Sequence, residues 1–183
     1  EKEKQNEACS EINNENNNDN DNDIIINIDF TNFNYDQSLN KDISKFNRLG
    51  KIGEGGHAKV FKYQEIESGK FFAGKKAKEN LEDKNIQREI MISSNLHHPA
   101  LQPLYGISID DVLVVLFTPY CSKGDLSHMI ESDNKNEAPK EWNRTQKYIV
   151  MYGIAAGMYV LHNNNFIHRD LKPGNVVISD NLE

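Results

Sequence analysis

Residues 1 to about 23 are almost entirely Glu, Asp, Asn and Lys, with Asn13-Asn14-Glu15-Asn16-Asn17-Asn18-Asp19-Asn20 as the densest run. Such a stretch cannot bury enough apolar surface to offset the entropy of ordering it, so a folded core has to come from the residues C-terminal to it. From about Lys41 the composition changes and periodic apolar patterns begin. The expected organisation is a disordered Asn/Asp/Glu-rich arm over residues 1–41 and a folded portion over 42–183. The arm reads as a solvated linker, with a regulatory or partner-binding role as the alternative. Inside it, Ile24-Ile25-Ile26-Asn27-Ile28-Asp29-Phe30 reads as a short strand or an adhesive segment.

The charge balance narrows the function classes. Lys and Arg total 21 against 28 Asp plus Glu, a net charge of -7. A chain this acidic is poorly suited to wrapping nucleic acid or coating an anionic membrane. Cys9 and Cys121 lie far apart in no ligand spacing, which argues against a disulfide scaffold or zinc site and for a reducing compartment. The longest strongly apolar run, Val112 to Phe117, is about a third of what a bilayer crossing needs, so no membrane segment is expected. No positively charged leader precedes an apolar stretch. Both ends read as cut, at Glu1 rather than Met and at Glu183 within a turn. The expected location is cytoplasmic, with a membrane anchor outside these residues left open.

Leu49 to Ile52 lead into Gly53-Glu54-Gly55-Gly56-His57-Ala58-Lys59-Val60-Phe61-Lys62, which reads as strand, glycine turn, strand. Lys70 to Lys75 is a further strand after the Glu67-Ser68-Gly69 turn. Asn80 to Leu96 is expected to be helical, with Ile86, Ile90 and Leu96 inward and Glu89 close by. His98-Pro99 ends it. Leu104 to Ile109 and Val112 to Phe117 form another hairpin. Asp125 caps a short helix, and Ser132 to Pro139 is a polar loop. Trp142 to Leu161 is a long helix with Tyr148, Ile149, Tyr152, Ala156 and Tyr159 near one face. The spacing of Gly153 and Gly157 within it permits close packing in a buried element. Phe166-Ile167 and Val176-Val177-Ile178 read as short strands around His168 to Asn175.

Three constellations carry chemistry. In Gly53-x-Gly55-x-x-Ala58-x-Val60, successive glycines between strands let backbone N–H groups close over phosphate oxygens. Taken alone, the pattern also fits an ordinary tight hairpin. It is neither a Walker loop nor a dinucleotide turn, because no Gly-Lys-Ser/Thr follows and the chain runs on as strand. Lys75 and Glu89 can pair, holding an ammonium where nucleotide phosphates are neutralised, although Lys76, Lys78, Glu79 and Glu82 compete nearby. In His168-Arg169-Asp170-Leu171-Lys172-Pro173-Gly174-Asn175, a carboxylate, an ammonium and an amide converge. The carboxylate can orient a hydroxyl, the lysine can stabilise a transferring phosphoryl group, and the amide oxygen can ligate Mg²⁺.

That last string resembles the catalytic loop of the eukaryotic protein kinase family, and the preceding elements come in the family order. The likeness runs from about Asn47 to the last residue. It implies an α+β fold: a truncated bilobal kinase with an N-lobe over about 42–118, a hinge at 119–124 and a partial C-lobe over 125–183. Lys172 resembles the serine/threonine type. His98 to Leu104 and Tyr152 to Met158 resemble the tyrosine-kinase-like branch of that type.

By the resemblance, Ile52, Gly53, Gly55, Gly56 and Val60 would cover ATP, with Val60 and Ala73 packing on the adenine. Lys75 would bind the α- and β-phosphates with Glu89 as its partner, and Thr118 would be a small gatekeeper. Pro119, Tyr120 and Cys121 resemble the hinge, where Pro119 retains the carbonyl offered to adenine. Asp125 would meet the ribose. Asp170 would be the catalytic base, Lys172 the γ-phosphate ligand and Asn175 a metal ligand, and Arg169 would reach toward the activation segment. Nucleotide and protein substrate are the implied partners, with ATP and Mg²⁺ as cofactors.

Two departures stand out. Ala58 replaces the third glycine of the phosphate loop, a mild change. The family's Asp-Phe-Gly metal motif, which follows the loop asparagine by about a dozen residues, falls beyond Glu183. The expectation is phosphoryl transfer to Ser/Thr hydroxyls by a longer kinase, with these residues alone inactive and the apolar face of the long helix exposed. The alternative is a pseudokinase or truncated module that binds a nucleotide or partner.

Overall fold

In this computed structural model, residues 34–56, 58–78, 83–110 and 113–180 are described. The readings for residues 1–33, including the strand at Ile24 to Phe30, and for the start of the first helix at Asn80 lie outside them. A compact unit begins at Asn34, eight residues ahead of the boundary expected at 42. Asp36 and Asp42 each cap a 3-10 turn by accepting from the backbone two residues on. Between these turns Asn40 bridges Ile107, and Lys41 N–H donates to the Ile107 carbonyl at 2.7 Å. The local sequence looks polar, but an edge strand with unpaired backbone groups gives it something to bind.

Five antiparallel strands follow in the spatial order β1-β2-β3-β5-β4. They are β1 (Phe46–Glu54), β2 (Ala58–Glu65), β3 (Phe71–Ala77), β4 (Gly106–Asp110) and β5 (Leu113–Pro119). One face of the sheet is aromatic: Phe46 stacks on Phe117 at 4.3 Å, and Tyr63 meets Phe117 edge-on at 5.2 Å. With Phe72 and Val115 these rings form the buried core, each contributing about 1.5–3 kcal/mol of apolar transfer. Gly74 is required there, because any side chain at that position would collide with the Tyr63 ring.

Helix α1 (Lys84–Asn95) connects β3 to β4 and ends one residue before the expected Leu96. Its start is set by Asp83, whose carboxylate accepts from the Asn85 and Ile86 amides at 2.8 and 3.2 Å. Ile86 and Ile90 are buried, as their spacing requires, whereas Leu96 is only the C-cap. The helical portion comprises α2 (Leu126–Asn134), capped by Asp125 as expected, and α3 (Arg144–Asn163). Helix α2 takes in Ser132 to Asn134, so the polar loop is shorter than its expected span.

The α3 face that carries Tyr148, Ile149, Tyr152 and Tyr159 is exposed, as expected: Tyr152 is 78% exposed and Tyr159 67%, while Val150, Gly157 and Leu161 are buried. The buried side packs around Met129, Trp142 and Ile178. One expectation for this portion is corrected: Phe166-Ile167 and Val176 to Ile178 are not strands. The latter runs beside Asp125 through one bridge at Val177, with Leu126 N–H to Val176 O at 2.8 Å and Ile178 N–H to Gly124 O at 2.9 Å. Among the described residues, no helix is long and apolar enough to cross a membrane.

Candidate active site

The sheet face opposite the aromatic core carries Ala73, Lys75 and Ala77, because side chains alternate along β3. Lys75 lies between Val60 of β2 and Leu116 of β5 in register. Its ammonium meets both carboxylate oxygens of Glu89, at 2.9 and 2.6 Å. Glu89 reaches Lys75 because burial of Ile86 and Ile90 turns that helical face toward β3. The pair borders a cavity of about 270 Å³ lined by Ala58, Ala77, Ile86 and Leu116.

Above it, the glycine turn closes by a hydrogen bond from Gly55 N–H to Ala58 O at 2.9 Å. Gly53 packs beside Val60, and Ile52 is largely exposed on the approach to the turn. Glu54 accepts from Lys51 at 2.7 Å and has Lys59 at 3.7 Å. The hydrogen bond from Lys51 and the charges around it hold the Glu54 carboxyl below its ordinary value.

At the far end of β5, Thr118 pairs with Ala73 and Pro119 with Phe72. The Pro119 carbonyl, expected to be open to adenine, accepts from Gln102 Nε2 at 2.8 Å and from the Cys121 thiol at 4.0 Å. Nothing in the local sequence around Gln102 signals this contact. Burial pushes the Cys121 thiol up. Asp125 spends Oδ1 on the His128 amide at 2.9 Å as the helix cap.

The loop from His168 to Asn175 folds on itself. Arg169 adopts φ 65°, a left-handed conformation that costs a residue with a side chain about 1–2 kcal/mol. Asp170 Oδ2 receives Lys172 Nζ at 2.8 Å and Asn175 Nδ2 at 2.9 Å, and the same amide donates to the Asp170 carbonyl at 2.7 Å. The hydrogen bonds from Lys172 and then Asn175 hold the Asp170 carboxyl below its usual range. Asp170 Oδ1 has no hydrogen bond among the described residues and can accept from a hydroxyl. Asn175 donates to two oxygens that only accept, which directs its own Oδ1 the other way.

Sequence reasoning therefore identified two groups of side chains that do come together: Lys75 with Glu89, and Asp170 with Lys172 and Asn175. It did not identify what joins them. Arg88, the neighbour of Glu89 on α1, reaches the Ile167 carbonyl at 3.4 Å and lies over the Phe166 ring. Burial and the nearby Arg169 charge push the Arg88 guanidinium down from its ordinary value.

Comparison with known proteins agrees with this geometry. The protein kinase domain profile matches residues 46–183. The chain is 35% identical over 137 residues to an Aurora kinase of Debaryomyces hansenii, covering 72% of this chain and 32% of that protein. It is 35% identical over 147 residues to a probable serine/threonine-protein kinase of Dictyostelium discoideum, covering 76% and 15%. It is 34% identical over 139 residues to the inhibitor of nuclear factor kappa-B kinase subunit alpha of Xenopus laevis, covering 71% and 18%. The chain thus spans a third or less of the length of these relatives. It belongs to the protein kinase family, mostly of serine/threonine type, with the sheet lobe and the start of the helical lobe in hand.

Proposed function

We propose that the chain supplies the nucleotide cleft and catalytic loop of a kinase that transfers the γ-phosphoryl group of ATP to serine or threonine hydroxyls of a protein substrate. The observation that carries this reading is the two-oxygen grip of Glu89 on Lys75 beside the glycine turn. An ammonium held this way stays at one place, ready to neutralise phosphate charge without reorganising. Asp170 orients the incoming hydroxyl through Oδ1 and, as a carboxylate, accepts its proton. Lys172 leaves Asp170 for the transferring group as negative charge gathers there.

Mg²⁺ asks for hard oxygen donors. Among the described residues no group of three or more His, Cys, Asp or Glu could hold a metal ion; Asn175 Oδ1 and nucleotide phosphates would supply oxygens to it. The outward Asn175 Oδ1 fits that role. Bound there, the ion would neutralise charge on the phosphates.

The test is phosphate transfer from ATP to a mixed Ser/Thr peptide pool by the full-length protein, beside its Asp170→Ala variant. Transfer that vanishes in the variant, with ATP binding retained, supports the reading. ATP binding without transfer in the wild type would establish a nucleotide-binding module instead. No binding at all would overturn both.

A further inference from the structure

The glycine turn between β1 and β2 is gripped by a lysine to which the proposed reaction gives no role. Lys78 Nζ donates to the carbonyls of Gly56 at 2.8 Å and Gly55 at 3.2 Å. The effect of this grip is dictated by peptide geometry. A trans peptide points its N–H opposite to its C=O, so a cation on the Gly55 carbonyl turns the Gly56 N–H away from itself. The Gly55 N–H is already used in closing the turn onto Ala58 O. The Gly56 N–H has no hydrogen bond among the described residues and is the donor left over.

Lys78 follows β3, which ends at Ala77 beside the cavity, so the residue that leaves the strand reaches back to the turn. Lys51 and Lys59 are both engaged with Glu54, so Lys78 is the lysine committed to the turn's backbone.

We propose that Lys78 is a positioning residue for nucleotide phosphates, pinning the carbonyls of the glycine turn so that the Gly56 N–H is held as a free donor to phosphate before the nucleotide arrives. Glycines explore more backbone conformations than other residues, and binding must otherwise order them. A preset turn removes part of that cost. The proposal rests on the reading that this cleft binds ATP.

The experiment measures dissociation constants for ATP and for adenosine, by calorimetry on the full-length protein. Wild type is compared with Lys78→Ala, Lys78→Met and Lys78→Arg. Met keeps the apolar stem, so a fold effect from lost packing is separated from loss of the ammonium. The expected result is ATP binding weaker by about threefold to tenfold in the Ala and Met variants, the span of one modest hydrogen bond. Adenosine, which has no phosphates, should bind unchanged, and Arg should restore most of the ATP affinity. Equal weakening of both ligands, or undiminished ATP binding, overturns the proposal. Wild-type protein that binds neither ligand overturns the nucleotide reading itself, and the role of Lys78 with it.

Discussion

Lys75 and Glu89, 14 residues apart in the chain, form an ion pair in which one ammonium meets two oxygens of one carboxylate. The Lys75 side chain is 43% exposed and that of Glu89 38%, so water screens the pair and its net stabilisation is at most about 1 kcal/mol. Such a pair is better suited to holding a charge in place than to holding a fold together.

On the proposed phosphoryl transfer, Lys75→Met in the full-length protein should therefore leave the melting temperature nearly unchanged while lowering kcat on the order of a hundredfold or more. Glu89→Gln should lower it less, since the ammonium remains but wanders. Parallel loss of melting temperature and activity would mean the pair is structural, contrary to this expectation.

The Asp170 carboxyl is held down by the hydrogen bond from Lys172 first and that from Asn175 second. For a carboxyl with a lowered value, the ionised form persists above that value and is lost as pH falls through it. Asp170 should then place no acid limb on the kcat/KM profile near neutral pH. Lys172→Met removes the leading cause, so the limb due to Asp170 should move upward toward the ordinary carboxyl value. A profile that Lys172→Met does not displace would show that Asp170 is not the group being read.

Helix α3 contains two glycines that differ in what surrounds them. A methyl at Gly157 would meet the Ala100 carbonyl oxygen at 3.0 Å, whereas one at Gly153 meets nothing within 4 Å. Gly157→Ala should destabilise the chain by about 1–3 kcal/mol through overpacking. Gly153→Ala should stabilise it by up to about 1 kcal/mol through helix propensity. Chemical denaturation of the two variants decides the matter, and the same sign for both would refute the packing.

Tyr105 donates to Glu65 at 2.6 Å while its ring stacks on Phe72 at 4.1 Å. That hydrogen bond, with burial and the Glu65 charge, pushes its hydroxyl up to about 12 from 10.0. The neutral phenol is the form the fold favours. Its contribution is complete below the unfolded value of 10.0 and disappears as pH rises through about 12. An ultraviolet titration of the tyrosines should show a late-ionising tail near that value, absent from Tyr105→Phe. Because the Phe ring keeps the stack, its stability cost should stay at about 0.5–1.5 kcal/mol.

Much of this was legible from local pattern. Asp125 caps α2, the glycine turn separates β1 from β2, and Ile86 and Ile90 face inward. Each is set by a few neighbouring residues, and short-range sterics and hydrogen bonding suffice to read it. The likeness of His168 to Asn175 to a kinase loop was equally visible, because the chemistry sits within one contiguous string.

Other features depend on contacts between distant parts of the chain. Burial on α3 falls on Val150, Gly157 and Leu161, and Gly157 lies close against Ala100, a segment remote in the chain. Asn34 to Lys41 looks solvated by composition, yet it is recruited by the open edge of β4. Gln102 on the Pro119 carbonyl, Arg88 on Ile167 and Lys78 on the glycine turn leave no local trace. By itself the sequence determined the order of the elements, the turns between them and the residue types available for phosphate chemistry. Only the tertiary structure decided which charge meets which, because strand register and helix phase, not neighbouring residues, determine distances between remote side chains.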